Sequence, residues 1–436
     1  MLTVSLTAMV LAGSLQCAET VWPALPQKDG TVELLAQEWP QRPGKRTIRV
    51  SVHYPNGTLA SVGPKTGTML TLHNWGGTDC VGTADPRVLA KEVDVVAICV
   101  NYLQSGKPDS IDGPEPYDFG YLQALDALRA LWYVHDGLLK RGKPFAANRT
   151  FCTGGSGGGN VTLMANKLAP RTFACVVDMC GMKKLSDDIA FNLPGGSGLK
   201  ARYSRDPKSP NFLSLDHQEL RFIGNPDHLA EMKRLGTATK VVVVHGTEDA
   251  TCPYADAVEM VHWMRRAKID VEPKFLTKAD IDGKVFTSTD HALGNRTQIV
   301  LQVARKFLKA DGKVLSGKSD FERKADIRFR TSGGAFVISY AAGYPVGRFE
   351  PAPKFIEYPD HTELTLVLDA TGKKTAITSK ADWDTRRQHA AADATEDIMA
   401  SIEKRMNDDG IQGYRVKVRL RGHPAQTAAF TRLTDC

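Results

Sequence analysis

The order of apolar and polar positions predicts an alternation of strands and helices along the first 310 residues. Short apolar runs predict strands at 31–35, 47–54, 69–73, 93–100, 173–179, 241–244 and 271–276. Apolar residues at helical spacing predict amphipathic helices at about 118–136, 254–267 and 297–308. Strands that alternate with helices form a mostly parallel sheet covered on both faces. We therefore predict a doubly wound α/β fold.

Two segments depart from this alternation. Residues 183–238 are rich in Gly, Pro, Tyr and Phe and lack long periodicity, so we expect a cap-like insertion over the active site. The alternative is a solvent-exposed insertion that does not contact the substrate. After a polar linker, residues 321–436 combine short strands at 327–329, 336–338, 364–368 and 415–420 with one helix near 385–406. This pattern predicts a small α+β accessory domain, which carries no recognisable catalytic motif.

The N-terminal segment resembles an export signal. Residues 1–13 are apolar, and a cleavage point near Ala18 would remove residues 1–18 and leave a catalytic domain at 19–310. The run is too short to span a membrane, and no later segment reaches that length. It lacks a basic residue before the apolar run, and Gln16 stands where a small residue is usual. We expect export to a periplasm or to the medium.

Composition narrows the class of protein. The chain has 436 residues, 42% hydrophobic and 24% charged, with a formal net charge of +7, as in soluble globular proteins. The absence of a basic–aromatic stripe argues against nucleic acid as a partner. No spacing indicates a metal site or another cofactor. Of the eight cysteines, three lie in predicted strands (Cys99, Cys152 and Cys175), and a disulfide is possible among Cys80, Cys180 and Cys252.

A serine between glycines follows the short apolar stretch at 151–152 and precedes a helical one. The motif is Gly154-Gly155-Ser156-Gly157-Gly158, the pattern of a nucleophile elbow. A Cβ at the first or last glycine would collide with the neighbouring strand or helix. The backbone N–H of Gly157, at the start of a helix, would face the oxygen of a bound carbonyl. Ser156 is therefore the candidate nucleophile.

An acid and a base follow in the order that such a nucleophile requires. The loop after strand 241–244 contains Glu248 and Asp249, either of which could orient a histidine. His291 lies in the loop Asp290-His291-Ala292 before the last predicted helix, where its imidazole can reach Ser156. His73 and His245 end buried strands, and we expect them to brace loops through backbone hydrogen bonds.

The loop after the third strand is the expected source of a second oxyanion donor. It reads His73-Asn74-Trp75-Gly76-Gly77, with Asn74 where a glycine is common. The backbone N–H of Trp75 is our candidate donor, and its indole could form a wall of the acyl pocket.

These motifs resemble the α/β-hydrolase superfamily over about residues 30–310. The nearest branch contains bacterial esterases and prolyl-oligopeptidase-like peptidases, which share a G-G-S-x-G-G elbow and an H-G-x-x-D loop. The resemblance favours Asp249 over Glu248 as the orienting acid. It implies acyl transfer to Ser156 followed by hydrolysis, without a cofactor, and it does not extend to the insertion or the C-terminal region.

Three functions fit the sequence. The first is an exported serine esterase that cleaves carboxylic esters, either small acyl esters, acylated polysaccharide or polyester. The alternative is a prolyl-oligopeptidase-like serine peptidase, although only about 30 residues precede the first strand, where those peptidases carry a propeller. A non-catalytic binding module on the same fold is the third, and the full Ser/Asp/His set argues against it. Oligomeric state is not indicated.

Overall fold

The computed structural model describes residues 22–106, 111–312 and 314–352, and the strands 355–357, 364–367, 374–377, 413–418 and 426–430. The chain forms two compact units. Residues up to Ser332 together with Phe336–Phe349 form the first, and Gly333–Ala335 together with residues from Glu350 form the second. The predicted signal peptide and the predicted helix near 385–406 lie outside the described residues.

An eight-stranded sheet forms the centre of the first unit. Its strands are β1 (Gly30–Leu35), β2 (Thr47–His53), β3 (Gly67–Leu72), β4 (Val95–Asn101), β5 (Thr150–Gly155), β6 (Cys175–Met179), β7 (Lys240–Gly246) and β8 (Val271–Leu276). The spatial order is β1-β2-β4-β3-β5-β6-β7-β8. Strand β2 is antiparallel to both its neighbours, and the pairs from β4 to β8 are parallel. The predicted mostly parallel α/β sheet is confirmed.

Helices cover both faces of this sheet. They are α1 (Pro86–Val93), α2 (Tyr121–Lys140), α3 (Gly157–Leu168), α4 (Asp187–Phe191), α5 (Leu215–Arg221), α6 (Pro226–Arg234), α7 (Tyr254–Arg266), α8 (Arg296–Val303) and α9 (Arg305–Leu308). Successive strand residues point to opposite faces. In β7, Val241 and Val243 join one core cluster, and Val242 and Val244 join the other. Two buried faces explain the uninterrupted apolar run.

Two helical details differ from the sequence prediction. The single helix expected at 297–308 is divided at Ala304 into α8 and α9. Helix α1 was not predicted, because its eight residues are too few to establish a periodicity. Its local signals are nevertheless present: the Asp85 side chain caps the first turn and Pro86 stands at the first helical position.

A three-stranded sheet follows the last helix, in the order β11-β10-β9. Its strands are β9 (Ile327–Thr331), β10 (Gly334–Ala342) and β11 (Tyr344–Pro351). The hydroxyl of Tyr340 donates to the carbonyl of Leu168 in α3 (3.0 Å), and most of this sheet belongs to the first unit. The first compact unit thus includes Phe336–Phe349, which lie beyond residue 321, where the sequence predicts the accessory domain to begin. The second unit contains the sheet β12-β15-β16 (Phe355–Glu357, Gly413–Val418, Gln426–Phe430) and the hairpin of β13 (Leu364–Val367) and β14 (Lys374–Ile377).

The cysteine prediction is wrong in its pairing. Cys80 forms a disulfide with Cys99, with a Cα–Cα distance of 5.9 Å. Cys99 lies on β4 opposite Thr71 of β3, and the loop after β3 folds back so that the Cys80 sulfur also contacts Thr71. The other described cysteines, Cys152, Cys175, Cys180 and Cys252, are buried and free. Among the described residues, no helix has the length and apolarity needed to cross a membrane.

Candidate active site

Ser156 lies at the tight turn between β5 and α3. Its backbone has φ 56° and ψ −121°, a conformation that costs energy for a residue with a side chain and recurs at functional sites. A Cβ at Gly158 would collide with the carbonyl oxygens of Leu72 and His73, and one at Gly154 would collide with the backbone of Gly158. The glycines are therefore required by close backbone contact, as the motif predicts.

Three predicted side chains form one hydrogen-bonded chain. His291 Nε2 lies 2.8 Å from Ser156 Oγ, and His291 Nδ1 lies 2.9 Å from Asp249 Oδ2. Asp249 Oδ1 accepts from the backbone N–H groups of Thr251 (3.0 Å) and Cys252 (2.9 Å), which fixes the orientation of the carboxylate. This geometry lets His291 accept a proton from Ser156 while Asp249 holds the ring.

The neighbouring acid, Glu248, has a different environment. It accepts a hydrogen bond from Thr289 and pairs with Lys278 at 3.3 Å, at the surface. Asp249, by contrast, is 4% exposed and faces the imidazole. The structure therefore places Asp249, and not Glu248, at the position of the orienting acid.

The pKa of His291 is raised above its usual value. Burial has the largest single effect and opposes the charged imidazolium, but the hydrogen bond to Asp249 and the contacts with two neighbouring thiols together outweigh it. The thiols of Cys180 and Cys252 also lie near the ring. Burial raises the pKa of the Cys252 thiol to about 11, so this thiol is neutral near pH 7 and contributes no charge there. Asp249 makes the largest single contribution to the upward shift of the His291 pKa.

His73 and His245, which end buried strands, hold loops in place through hydrogen bonds to backbone carbonyls, as predicted. His245 Nε2 donates to the carbonyl of Cys252 (2.8 Å), which holds the loop that carries Asp249. His73 Nδ1 donates to the carbonyl of Asn74 (2.7 Å), in the loop that carries Trp75. Burial lowers the pKa of each imidazole to about 4, so both rings are neutral near pH 7.

The loop that carries Trp75 passes close to Gly157, the residue after Ser156. A Cβ built on Gly157 would lie 2.7 Å from the backbone nitrogen of Trp75, so the two predicted oxyanion donors are close together. The hydroxyl of Tyr117 would lie 3.2 Å from the same point. Tyr117 is 1% exposed, and its hydroxyl makes no hydrogen bond of good geometry with any described residue. The Trp75 nitrogen and the Tyr117 hydroxyl therefore both lie close to Gly157, the residue that follows Ser156.

Tyr117 was not identified from the sequence. It lies in the irregular segment before α2, where no periodicity or motif distinguishes it. The available signal was its place between the strand β4 and α2, since loops after parallel strands meet at the same edge of the sheet. Burial raises the pKa of Tyr117, so its hydroxyl keeps its proton near pH 7, although the side chain of Gln123 lies close enough to oppose part of the shift.

Tyr117 belongs to an aromatic and aliphatic cluster, and Trp75 packs against it. The rings of Trp75 and Tyr117 are stacked with centroids 3.7 Å apart. The insertion contributes to the same cluster, and the backbone N–H of Tyr117 donates to the carbonyl of Ala201 within it (2.8 Å). Other members of the cluster are Phe119, Met182, Leu185, Ile189, Phe191, Leu199 and Tyr203. Residues 183–238 thus pack onto the loop that presents Tyr117.

Comparison with known proteins gives one family match. Residues 130–309 match the prolyl oligopeptidase family. This range includes Ser156, Asp249 and His291 but excludes the loops that carry Trp75 and Tyr117. A comparison with functionally curated proteins finds no match.

Several solved structures are similar at low sequence identity. Acylaminoacyl peptidase from Pyrococcus horikoshii is 13% identical with a TM-score of 0.44, over 65% of this chain and 42% of that one. A puromycin-hydrolyzing peptidase of Mycobacterium tuberculosis is 16% identical with a TM-score of 0.45, over 66% of this chain and 40% of that one. Brefeldin A esterase, a bacterial homologue of human hormone sensitive lipase, is 16% identical with a TM-score of 0.38, over 58% and 71%. The chain thus covers less than half the length of these peptidases.

The sheet order, the strained serine turn and the family match agree with one another. The topology is that of the α/β-hydrolase fold, and the elbow lies where that fold presents its nucleophile. The family match covers the segment that contains Ser156, Asp249 and His291. The first unit has the α/β-hydrolase fold, and its Ser156, His291 and Asp249 form the hydrogen-bonded chain that serine hydrolases use.

Proposed function

We propose that this protein hydrolyses acyl compounds through a covalent acyl–Ser156 intermediate, and that its substrates are peptides or peptide-like amides with an apolar acyl side. The observation that carries the proposal is the continuous hydrogen-bonded chain from Ser156 through His291 to Asp249. The family match over residues 130–309 supports the peptidase reading over the esterase one.

In the proposed acylation step, Ser156 Oγ attacks the carbonyl carbon and its proton passes to His291 Nε2. Asp249 stabilises the imidazolium that forms, and His291 then donates the proton to the leaving group. A water activated by the same imidazole then hydrolyses the acyl-enzyme. The N–H groups of Trp75 and Gly157 bind the negative oxygen of the tetrahedral intermediate.

We propose Tyr117 as a third donor to the same oxygen. Its hydroxyl lies beside Gly157 and is buried without a good partner among the described residues. A buried unsatisfied hydroxyl costs free energy unless a ligand satisfies it. A developing oxyanion would do so at the moment of reaction, which is the differential binding that accelerates a chemical step.

A carboxylic ester is the second candidate substrate. The family match excludes the loops of Trp75 and Tyr117, which form one side of the apolar cluster, so the match does not extend to this part of the site. An apolar wall suits an aromatic or aliphatic acyl group in either substrate class. An activated ester also needs less help from the general acid than an amide.

The experiment compares two substrate series on the purified protein. One is a set of p-nitrophenyl esters with increasing acyl length, and the other is a set of peptide anilides with prolyl or large apolar residues before the anilide. Cleavage of the anilides supports the peptidase proposal. Cleavage of esters alone, with the anilides intact, would replace it by the esterase. No turnover of either, by folded protein that also fails to react with a fluorophosphonate, would contradict both.

A further inference from the structure

Two thiols lie beside the catalytic histidine and take no part in the proposed mechanism. Cys180 follows β6 directly and has a positive φ of 45°. Its sulfur, Asp249 and His291 each place one potential ligand atom within 4.8 Å of the others. The thiol of Cys252 also lies near the His291 ring. Sulfur, imidazole nitrogen and carboxylate oxygen are thus gathered from the ends of neighbouring strands.

We propose that this cluster is an inhibitory binding site for a thiophilic divalent cation of the Zn²⁺ type, with Cys180, Asp249 and His291 as ligands. Zinc is bound in proteins by these three ligand types. Magnesium and calcium prefer oxygen ligands, so a thiol discriminates against them. Spacing along the chain gives no hint of the site, because its ligands come from three separate loops.

The charges of the cluster suit a divalent cation. With Cys180 as a thiolate, the thiolate and the Asp249 carboxylate carry two negative charges. Arg296 Nη2 lies 3.4 Å from the Cys180 sulfur, so one positive charge lies beside these two negative ones. Cys180 and Asp249 are both buried, and His291 is partly exposed beside Ser156, which leaves an approach from the substrate side.

The position of Asp249 determines which nitrogen the cation takes. Asp249 faces Nδ1 of His291 at 2.9 Å, and Ser156 faces Nε2 at 2.8 Å. A cation held by Asp249 and His291 therefore binds Nδ1. The neutral ring then carries its proton on Nε2, so it can no longer accept the proton of Ser156. Metal binding would stop the reaction at its first step.

Zinc binding at this cluster displaces protons from its ligands. The Cys180 thiol loses its hydrogen to solvent as the metal–sulfur bond forms, and the ring exchanges a proton on Nδ1 for one on Nε2. One proton is released for each cation bound when the ring is neutral beforehand, and two are released when it is an imidazolium; no oxidant or reductant is needed. Metal binding itself does not depend on the proposed function; only the loss of hydrolysis rests on it.

The test uses the tag-free full chain in metal-free buffer with a phosphine reductant, since imidazole tags and dithiols bind zinc. Zinc binding is measured by competition with a chromophoric chelator, and Ser156 reactivity by the rate of fluorophosphonate labelling. We expect one zinc per chain, slower labelling in proportion to occupancy, recovery with a chelator, and no effect of magnesium. Because the first readout needs no substrate, its failure is distinguishable from failure of the proposed function.

Cys180→Ala removes the sulfur ligand, and each variant is compared with its own zinc-free rate. We expect its zinc affinity to fall at least about tenfold, as losses around metal sites commonly do. Cys175→Ala, at a buried free cysteine of β6, the strand that Cys180 follows, is the matched control and should bind zinc like the parent chain. Cys180→Ser serves the same purpose if the alanine variant does not fold. Equal zinc affinity in the Cys180 variants, or zinc binding that leaves labelling unchanged, would overturn the proposal.

Discussion

Removal of one oxygen atom from Tyr117 should lower activity and raise stability together. In Tyr117→Phe the ring and its stacking on Trp75 remain, and only the buried hydroxyl is lost. Loss of one oxyanion donor costs about 10²–10³ in kcat. Because the N–H groups of Trp75 and Gly157 remain, we expect a loss of about 100-fold in kcat, or about 2.7 kcal/mol, with little change in KM.

The stability effect has the opposite sign. The Tyr117 hydroxyl has no good hydrogen-bond partner among the described residues, and a buried unsatisfied polar group costs about 1–3 kcal/mol. Phenylalanine removes that cost without leaving a large cavity. We therefore expect the free energy of unfolding to rise by about 1 kcal/mol, measured by urea denaturation.

Tyr121→Phe is the matched control. Tyr121 is also a buried tyrosine whose hydroxyl lacks a good partner among the described residues, but it lies at the start of α2 against Phe336. Its loss should raise stability by a similar amount and leave kcat unchanged. The reasoning is refuted if Tyr117→Phe retains full activity, or if its activity and stability fall together, since that would indicate a structural role.

Three further predictions concern other parts of the first unit. Asp249 raises the pKa of His291, so kcat/KM of the parent chain should fall as the pH drops through an apparent pKa above 6.5. The residual activity of Asp249→Asn should fall at a lower pH. A pH profile that is the same in both proteins would contradict this prediction. Asp178→Asn leaves its buried partner Lys183, at 2.6 Å, without a counter-charge. We expect the free energy of unfolding, measured in urea, to fall by about 3–5 kcal/mol. Adding Lys183→Met should recover part of this loss. Gly158→Ala should lower both the melting temperature and fluorophosphonate labelling, because its Cβ meets the carbonyls at the end of β3; wild-type behaviour would show that the turn can relax.

The fold was predictable because its strands are buried on both faces. Val241–Val244 read as a strand without any partner information, and loops at the carboxyl ends of such strands meet at one edge. That rule, with the chain order of nucleophile, acid and base, selected Ser156 and His291, and the family resemblance selected Asp249 over Glu248; the structure brings these three side chains together. The local turn chemistry of the glycine motif required no knowledge of distant contacts.

The features that the sequence did not reveal depend on contacts between distant segments. The Cys80–Cys99 disulfide depends on how the loop after β3 folds back over β4. Tyr117 is placed by an irregular loop and by its bond to Ala201 in the insertion. The position of the unit boundary depends on β10, whose Tyr340 bonds to α3 in the first unit. The sequence does not predict this boundary, because the alternating pattern of a strand does not show which hydrophobic core the strand packs against.

The central claim is that Ser156 is the nucleophile of an acyl-transfer reaction. The most direct measurement is intact-mass and peptide-mapping mass spectrometry after reaction with a fluorophosphonate, on the parent chain and on Ser156→Ala. We predict one adduct per chain on the peptide that contains Ser156 and none in the folded variant. Absence of an adduct in the folded parent chain, or an adduct that persists in Ser156→Ala, would contradict the account.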